Sequence, residues 1–408
     1  MKSGVFARFL RSLAVAALFV VVAMAAVMAS AASSSWNVDA SGDWTTTANW
    51  TAGVPGASSG TTSADVATFT TLLSGVGKTV TVDSGRNIGG ISFGSATGGN
   101  TGAFGYSLTG GSLLLSSGGT IQTLAADGAH MESIVTPVQV QGSGGTATFA
   151  GNATSGNNIL NIGDVTGVST AGQTTALTLN GVNTGGSEVS GVIGDGSAGG
   201  KLSITKSGTG AWYLVGSNTY SGGTTITAGT LVAQNSTALG TGSITFGGGT
   251  LQYSGQSAAA DWGSQFKSSG SAIAINTNNQ NVTLAGGIDG TNTAGLTKSG
   301  AGILALGGAN AFTGTTTIGP AAANNTAISS YLRLDNAQAL GGGGNLTFTG
   351  GTLRYTGNNT VDYSGRIVSS STGAINIDTN GQNVTFASAL ASSNTQGLTK
   401  LGAGTLTL

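Results

Sequence analysis

The sequence predicts an all-β protein built from stacked coils, and three observations support this prediction. A phrase of the form Leu/Ile-Thr-Lys-x-Gly-x-Gly occurs at 204–210, 296–302 and 398–404, with copies 92 and then 102 residues apart. Such spacing is too long for one structural rung, so each unit contains several smaller elements. Short alternating apolar runs follow one another from residue 79, broken by glycine or asparagine. Past the N-terminal segment, no window of helical length shows a 3.6-residue apolar period.

Composition narrows the class of protein further. The 408 residues include 73 glycines and no cysteine, with 7% charged and 39% hydrophobic residues. Regular Val, Ile, Leu and Phe argue against disorder, and the lack of cysteine leaves hydrogen-bond ladders and packing to hold the chain together. Without three N-terminal basic residues, 10 of the 13 Lys and Arg remain against 14 Asp and Glu, which gives a net charge of about −4. Nucleic acid is therefore not an expected partner.

The N-terminus predicts export. Three basic residues precede an apolar run over 13–28, and residues 29–31 read Ala-Ser-Ala, the small-residue pattern of a cleavage site. Residues 1–31 are interpreted as a secretory signal peptide. The alternative is an uncleaved membrane anchor, because the apolar stretch approaches the length that spans a bilayer.

Residues 32–77 form a distinct region that is rich in tryptophan. Trp36, Trp44 and Trp50 lie within fifteen positions of one another. Solenoid ends need a covering element, so the region is predicted to be an N-terminal cap. The alternative interpretation is an aromatic platform for sugar binding.

Residues 78–408 form the predicted repeat region, with long units that begin near 202, 296 and 398, the last of them truncated. Leu231 and Leu251 stand 20 residues apart, and Leu332 and Leu353 stand 21 apart, which is the length of one coil. Four or five coils would fill one unit. Nine of the ten extra residues of the later unit fall within 319–331, which is predicted to project as a loop without disturbing the stack.

Alternation within the aligned units predicts which side chains face the core. Trp212 aligns with Leu304, and Leu214 with Leu306, whereas the residues between them vary. Side chains of a strand alternate between its two sides, so the constant apolar positions are predicted to point inward. The turns over 277–281 and 379–383 suit Asn and Gly, which accept left-handed backbone conformations.

Residues 201–240 carry a resemblance to a known family. They read KLSITKSGTGAWYLVGSNTYSGGTTITAGTLVAQNSTALG, with an Asn-Thr-Tyr-x-Gly-Gly-Thr-Thr core at 218–225 and a Gly-Thr-Leu close at 229–231. This run resembles the autotransporter-associated β-strand repeat, also called the passenger-associated transport repeat. A second copy over 296–318 departs from the pattern at Ala311, Phe312 and Thr315 and lacks the close.

The resemblance implies a right-handed parallel β-helix, a pectin-lyase-like solenoid, exported as the passenger of an autotransporter and associated with the outer membrane at the cell surface. It implies the export machinery and an outer-membrane translocator as partners, and a repeat that assists translocation. A surface glycan or protein ligand is left open. The family's C-terminal translocating barrel is not among these 408 residues, so the chain is expected to be a fragment of a longer protein; the alternative is another means of surface attachment.

The sequence offers few candidates for chemistry, and no catalytic, cofactor-binding or metal-binding residue is predicted. His130 is the only histidine and is interpreted as an incidental turn residue. Arg333, Asp335 and Arg354 form the most plausible charged cluster, because Arg333 and Arg354 would lie in adjacent coils. A solvated outer face is the favoured interpretation of this cluster. The alternative is a secreted glycan-active β-helix enzyme, a polysaccharide lyase or hydrolase.

Two further motifs are interpreted as products of turns. Residues 194–196, Gly-Asp-Gly, suggest calcium but lack the repeated nonapeptide pattern, so a tight turn is predicted. Asn281, Asn345 and Asn383 begin Asn-x-Thr triplets that fit the repeat pattern rather than glycosylation. The predicted function is that of a non-enzymatic, surface-displayed structural segment.

Overall fold

The computed structural model describes residues 33–408 except positions 61, 72, 95–104, 126–127, 129, 155–157, 321–328 and 368–370. The predicted signal peptide lies outside the described residues, as does most of the 319–331 loop. None of the helices in the described part of the chain has the length and apolarity needed to cross a bilayer.

The protein is a right-handed parallel β-helix whose coils have three sides. Every pairing between its named strands, numbered along the chain, is parallel. The first sheet has twelve strands: β1 Ser34–Trp36, β3 Val66–Phe69, β5 Arg86–Phe93, β7 Leu113–Thr123, β9 Val138–Val140, β10 Thr146–Gly151, β12 Val165–Gly167, β13 Thr174–Gly181, β15 Ile193–Gly194, β16 Lys201–Lys206, β18 Thr224–Ile226 and β20 Ile244–Phe246.

The second sheet has thirteen strands: β2 Gly42–Asp43, β4 Lys78–Val82, β6 Tyr106–Gly110, β8 Met131–Ile134, β11 Ile159–Ile162, β14 Ser187–Val189, β17 Ala211–Leu214, β19 Thr230–Ala233, β21 Thr250–Tyr253, β22 Ile273–Asn276, β24 Leu296–Ser299, β26 Thr316–Ile318 and β28 Leu346–Phe348. The third sheet has six strands: β23 Gln280–Leu284, β25 Gly302–Leu306, β27 Ser330–Leu334, β29 Thr352–Arg354, β30 Ile375–Asp378 and β32 Leu398–Leu401. A separate pair joins β31 Val384–Thr385 to β33 Leu406–Thr407, and short 3₁₀ helices occupy Thr47–Asn49, Gly263–Gln265 and Ser364–Arg366.

The predicted coil lengths are confirmed by the strand register. Leu231 pairs with Leu251 across β19 and β21, and Leu332 pairs with Leu353 across β27 and β29. The strand after the 319–331 loop also keeps its register, because Leu332 lies beside Leu304. The loop therefore leaves the stack intact, as predicted.

The core is a set of apolar columns that run along the axis. Trp212, Leu214, Leu304 and Leu306 are buried, which confirms their predicted inward orientation. Some outward positions are also buried, against the simple alternation: Ala305 is 1% exposed. The neighbouring outward residue in the next coil is Arg333, whose long side chain can cover a small one with its apolar stem.

Successive copies of the Leu-Thr-Lys phrase lie in three different sheets. The first copy is β16 in the first sheet, the second is β24 in the second sheet, and the third is β32 in the third sheet. Each unit therefore contains a whole number of coils plus one additional side. Equivalent residues of successive units consequently face different sides of the solenoid.

The asparagine-rich turns adopt the predicted left-handed backbone. Asn278 and Asn279 have φ of 47° and 66°, and Asn380 has φ of 47°. Each turn also binds the phrase of the next unit: the hydroxyl of Thr277 donates to Ala301 O at 2.7 Å. Thr379 makes the equivalent bond to Ala403 O at 2.6 Å. These turns thus join consecutive units.

The three N-terminal tryptophans form one aromatic cluster. Trp50 lies 5.1 Å from Trp36 and 4.9 Å from Trp44 between ring centroids, and all three pack around Phe69. Their side chains are buried, so none offers an open ring face, and the sugar-platform alternative is wrong. Strand β1 of this region already pairs with β3, and β3 pairs with β5, so coiling begins within residues 32–77.

Candidate functional site

The lysine of the repeated phrase occupies an inward position in the apolar core. Lys206 lies in register between Leu179 of one coil and Ile226 of the next, and it is fully buried. Its ammonium donates to Ser207 O at 2.6 Å, to Gly208 O at 2.9 Å and to Ala228 O at 3.1 Å. All three ammonium hydrogens are used, as a buried amine requires. Because Ala228 belongs to the following coil, Lys206 connects two coils.

Lys298 makes the equivalent connection in the second unit with a different third partner. Its ammonium donates to Ser299 O at 3.0 Å, Gly300 O at 2.5 Å and the hydroxyl of Ser330 at 2.9 Å. In the first unit the residue equivalent to Ser330 is Gly229, which has no side chain to accept a hydrogen bond. The Lys206 ammonium lies close to it, since an added Cβ at Gly229 would be 2.8 Å from the ammonium. A serine hydroxyl thus replaces a backbone carbonyl as the acceptor in the next coil.

The third copy of the lysine has the same local contacts. Lys400 donates to Leu401 O at 3.3 Å and to Gly402 O at 2.5 Å, and its Cα lies in register with the buried Ile377. Its side chain is exposed. The carbonyls of the phrase itself are therefore sufficient to orient the ammonium.

The asparagine of the repeat core connects three coils. Asn218 Oδ1 accepts a hydrogen bond from Ile193 N at 2.8 Å in the preceding coil, and its Nδ2 donates to Ala238 O at 2.7 Å in the following one. Asn310 repeats the arrangement with Ile288 N at 2.7 Å and Ala339 O at 2.6 Å. We call Lys206, Asn218, Lys298 and Asn310 the inter-coil joints.

Burial changes the acid–base behaviour of the two joint lysines. Removal of the ammonium from water lowers the pKa of Lys206 to about 8 and the pKa of Lys298 to about 7. The hydrogen bonds to carbonyls favour the charged form and oppose this shift. The joints are structural, because neither ammonium is accessible to a substrate.

The predicted charged cluster does form, and its charges neutralise one another. Arg333 and Arg354 are paired across adjacent strands, as predicted from their spacing. Arg333 binds both carboxylate oxygens of Asp335, and Arg354 Nε donates to Asp378 at 2.8 Å. The guanidinium of Arg354 also lies 3.7 Å from the centroid of the Tyr331 ring. Asp378 was not foreseen, because it belongs to the coil after Arg354.

His130 stands at a bend directly before β8, as interpreted, but it is not incidental, because it is part of a buried pair. Its Nε2 lies 2.8 Å from Glu132 Oε1, and both side chains are 1% exposed. The other carboxylate oxygen of Glu132 accepts a hydrogen bond from Tyr106 N at 2.7 Å, which ties the pair to the preceding coil. Burial of this kind is typical of a structural contact between coils.

Asp195 and two of the three Asn-x-Thr asparagines, Asn281 and Asn383, accept hydrogen bonds from backbone N–H groups. Asp195 Oδ1 accepts from Leu202 N at 2.7 Å and Ser221 N at 2.9 Å, and Oδ2 accepts from the Ser221 hydroxyl, so the carboxylate is engaged by protein donors. Asn281 Oδ1 accepts from the next coil at 3.3 Å and Asn383 Oδ1 at 3.2 Å. The part of the chain that the structure describes contains no cluster of His, Cys, Asp or Glu suited to a metal ion.

Sequence reasoning missed the inter-coil joints, although a signal for them was present. Lys206 has the same strand parity as Leu202 and Ile204, which are buried, so alternation placed it inward. Its recurrence at each phrase was used only to measure the period. A buried lysine also needs acceptors, and the third of them comes from a coil whose position the sequence does not give.

The inter-coil joints fall within segments that match a known repeat. The family described as Passenger-associated-transport-repeat matches residues 204–233 and 296–319. The Adhesin BmaC autotransporter of Brucella suis biovar 1 (strain 1330) is 31% identical over 288 residues, which cover 66% of this chain and 8% of that protein. The chain thus spans a small part of the length of this relative. No solved structure matches the chain.

The fold and the matched repeats together define the chain as a parallel β-solenoid that carries the passenger-associated transport repeat at 204–233 and 296–319.

Proposed function

We propose that the chain is a non-enzymatic, exported passenger segment that extends from the cell surface and assists its own passage through an outer-membrane translocator. The main observation behind this proposal is that the polar residues of the repeat bond to neighbouring coils. The polar groups of Lys206 and Asn218 make hydrogen bonds between coils, so they are not available to act on a substrate. The relative's description as an autotransporter adhesin supports the same role.

Folding of a solenoid can proceed one coil at a time, because each coil contacts only its neighbours. A coil that emerges from the translocator can bind the coil already folded outside, and the inter-coil joints add hydrogen bonds at each step. Backward movement would require these bonds to break. Stepwise stacking therefore favours outward movement of the chain.

The enzyme alternative has less support. A lyase or hydrolase needs ionisable groups that are free to act on a substrate. Arg333 and Arg354 are each bound to a carboxylate, and the Tyr331 ring is covered by Arg354. Hydrolysis or cleavage of a polysaccharide panel by the purified chain, abolished by Asp335→Ala, would overturn the structural role.

Surface display is tested with the full-length protein in its own cells. Proteinase K added to intact cells should degrade an epitope inserted in the 319–331 loop, while a periplasmic marker stays intact. Protection of the epitope until the outer membrane is permeabilised would contradict the proposed location.

Folding-assisted export is tested with a matched pair on β22. Ile273→Asp places a carboxylate in the core beside Leu296, whereas Ala274→Asp places it on the outward side of the same strand. We expect the first variant to reach the surface more slowly than the wild type and the second to match it. Equal export of all three proteins would show that stacking does not assist translocation.

A further inference from the structure

A shallow groove of about 200 Å³ lies on the outward face of β17, β19 and β21. Its axis follows one row of the second sheet, in which Glu188, Tyr213, Val232 and Gln252 are successive register partners. Neighbouring strands are about 4.8 Å apart, so the row extends over about 14 Å. Val232 is 2% exposed despite its outward position, and it forms the floor of the groove.

Tyr213 provides an aromatic surface in the groove. An added Cβ at Gly186 would lie 2.0 Å from Tyr213 Cε2, so the ring lies against the Gly186 backbone. Gly186 has φ of 90°, a conformation that also favours glycine. The ring is half-buried and lines the groove. The Gly186 backbone supports the Tyr213 ring on one side, and the groove lies on the other side. The ring therefore offers a fixed surface to a ligand.

Polar groups flank this ring along the row. Gln252 Oε1 accepts from Asn276 Nδ2 at 3.2 Å, while its own amide nitrogen donates no hydrogen bond within the described residues. On the other flank stands Glu188, whose carboxylate is half-buried with its pKa raised by burial. The hydroxyls of Thr184, Thr209 and Thr230 line the sides. The row therefore has an aromatic and an apolar residue between two hydrogen-bonding ones, and none of its four residues is a cation.

The same row in the second unit is closed by its own side chains. Ala305 stands where the first unit has Tyr213, and Arg333 and Arg354 stand where it has Val232 and Gln252. Both guanidiniums bind carboxylates, and Arg354 covers the ring of Tyr331. Only the first of these two aligned rows thus leaves a ring and an amide available.

We propose that the groove around Tyr213 binds a short neutral oligosaccharide that lies parallel to the solenoid axis. The apolar C–H face of a sugar ring can pack on the tyrosine ring, and its hydroxyls can pair with Gln252, Glu188 and the threonines. The absence of a cation from the lining, together with Glu188, disfavours acidic glycans. The length of the row, about 14 Å, suits about three sugar units.

Binding is measured on the purified chain, so the result does not depend on export or display. The probes are cellotetraose, xylotetraose and chitotetraose, with tetragalacturonate as an acidic comparison, and the method is saturation-transfer NMR followed by titration calorimetry. We expect at least one neutral probe to bind. Failure of all three, or binding of the acidic probe alone, would overturn the proposal.

Matched variants locate the site. Tyr213→Ala should weaken binding by about tenfold or more, the equivalent of about 1.4 kcal/mol. Tyr331→Ala removes an outward tyrosine that lies beside the closed row and should bind like the wild type, while Tyr213→Phe should retain most of the affinity. Circular dichroism verifies that each variant is folded. Unchanged binding by folded Tyr213→Ala would place the ligand elsewhere and refute the assignment.

Discussion

Lys298 lies directly beside Ile275 in an inward column of the core, with Ile318 on its other side. An ammonium therefore occupies a position that its neighbours in both adjacent coils fill with a branched apolar side chain. It is retained there because carbonyls of its own turn and a hydroxyl of the next coil receive its three hydrogens. The core of this solenoid thus contains polar joints at defined places.

Loss of a lysine joint should destabilise the stack. Lys206→Met keeps the length of the side chain but leaves Ser207 O, Gly208 O and Ala228 O without their donor. We expect a loss of about 1–3 kcal/mol in the free energy of unfolding, measured by chemical denaturation. Lys201→Met, at the exposed start of the same strand, is the control. An equal effect of both substitutions would argue against a role for the joint.

The stability of the protein should rise with pH above neutrality. The folded-state pKa values of Lys298 and Lys206 are lowered to about 7 and about 8, whereas an unfolded lysine titrates near about 10.4. Between these values the unfolded chain binds more protons, so raising the pH favours the folded state. The denaturation midpoint should increase from about pH 7 to about pH 9.5, before unfolded tyrosines ionise.

The double variant Lys206→Met/Lys298→Met tests the origin of this pH dependence. Its midpoint should change less than that of the wild type over the same range, because both shifted groups are gone. A rise of the same size in the double variant would assign the effect to other residues.

Two buried tyrosine hydroxyls contribute nothing by hydrogen bonding. Tyr253 and Tyr355 occupy equivalent places in the two units, and neither hydroxyl has a partner within the described residues. Replacement by Phe should leave the free energy of unfolding unchanged or raise it by about 1 kcal/mol. The Tyr220 hydroxyl lies 2.7 Å from Thr224 Oγ1, so Tyr220→Phe should be destabilising. Thermal denaturation of the three variants gives the comparison, and clear destabilisation by Tyr253→Phe would contradict it.

The asparagine joint should protect two neighbouring coils. Asn218→Ala removes the acceptor of Ile193 N and the donor to Ala238 O, which are backbone groups in different coils. A loss of about 2–3 kcal/mol is expected, with faster amide hydrogen exchange at Ile193. Ser217→Ala, on the exposed preceding residue, serves as the control. Unaltered exchange at Ile193 in Asn218→Ala would refute the bridging role.

Much of the fold could be predicted because its information is local. The spacing of Leu231 and Leu251 gave the coil length, and alternation around Trp212 gave the inward face. The adjacency of Arg333 and Arg354 followed from the same spacing. Their pairing with Asp335 and Asp378 did not follow, because a partner in a third coil depends on the register of every intervening turn.

His130 shows the same limit. A single histidine in a glycine-rich sequence has no periodic neighbour to indicate its surroundings, and its contact with Glu132 depends on the local path of the strand. The groove at Tyr213 likewise depends on Gly186 of the preceding coil, 27 residues earlier in the sequence. Neither arrangement has a motif that sequence alone would reveal.

The sequence by itself determined that the chain is β, that it repeats, how long its coils are and which side chains enter the core. These properties depend on strand alternation and turn residues, which act over a few positions. Only the tertiary structure shows that the three copies of the phrase, at Lys206, Lys298 and Lys400, lie in the first, second and third sheets respectively. The reason is that each unit ends one side beyond a whole number of coils, a remainder fixed by the sum of all turn lengths. The same stacking supplies the third acceptor of each buried lysine, Ala228 O for Lys206 and the Ser330 hydroxyl for Lys298.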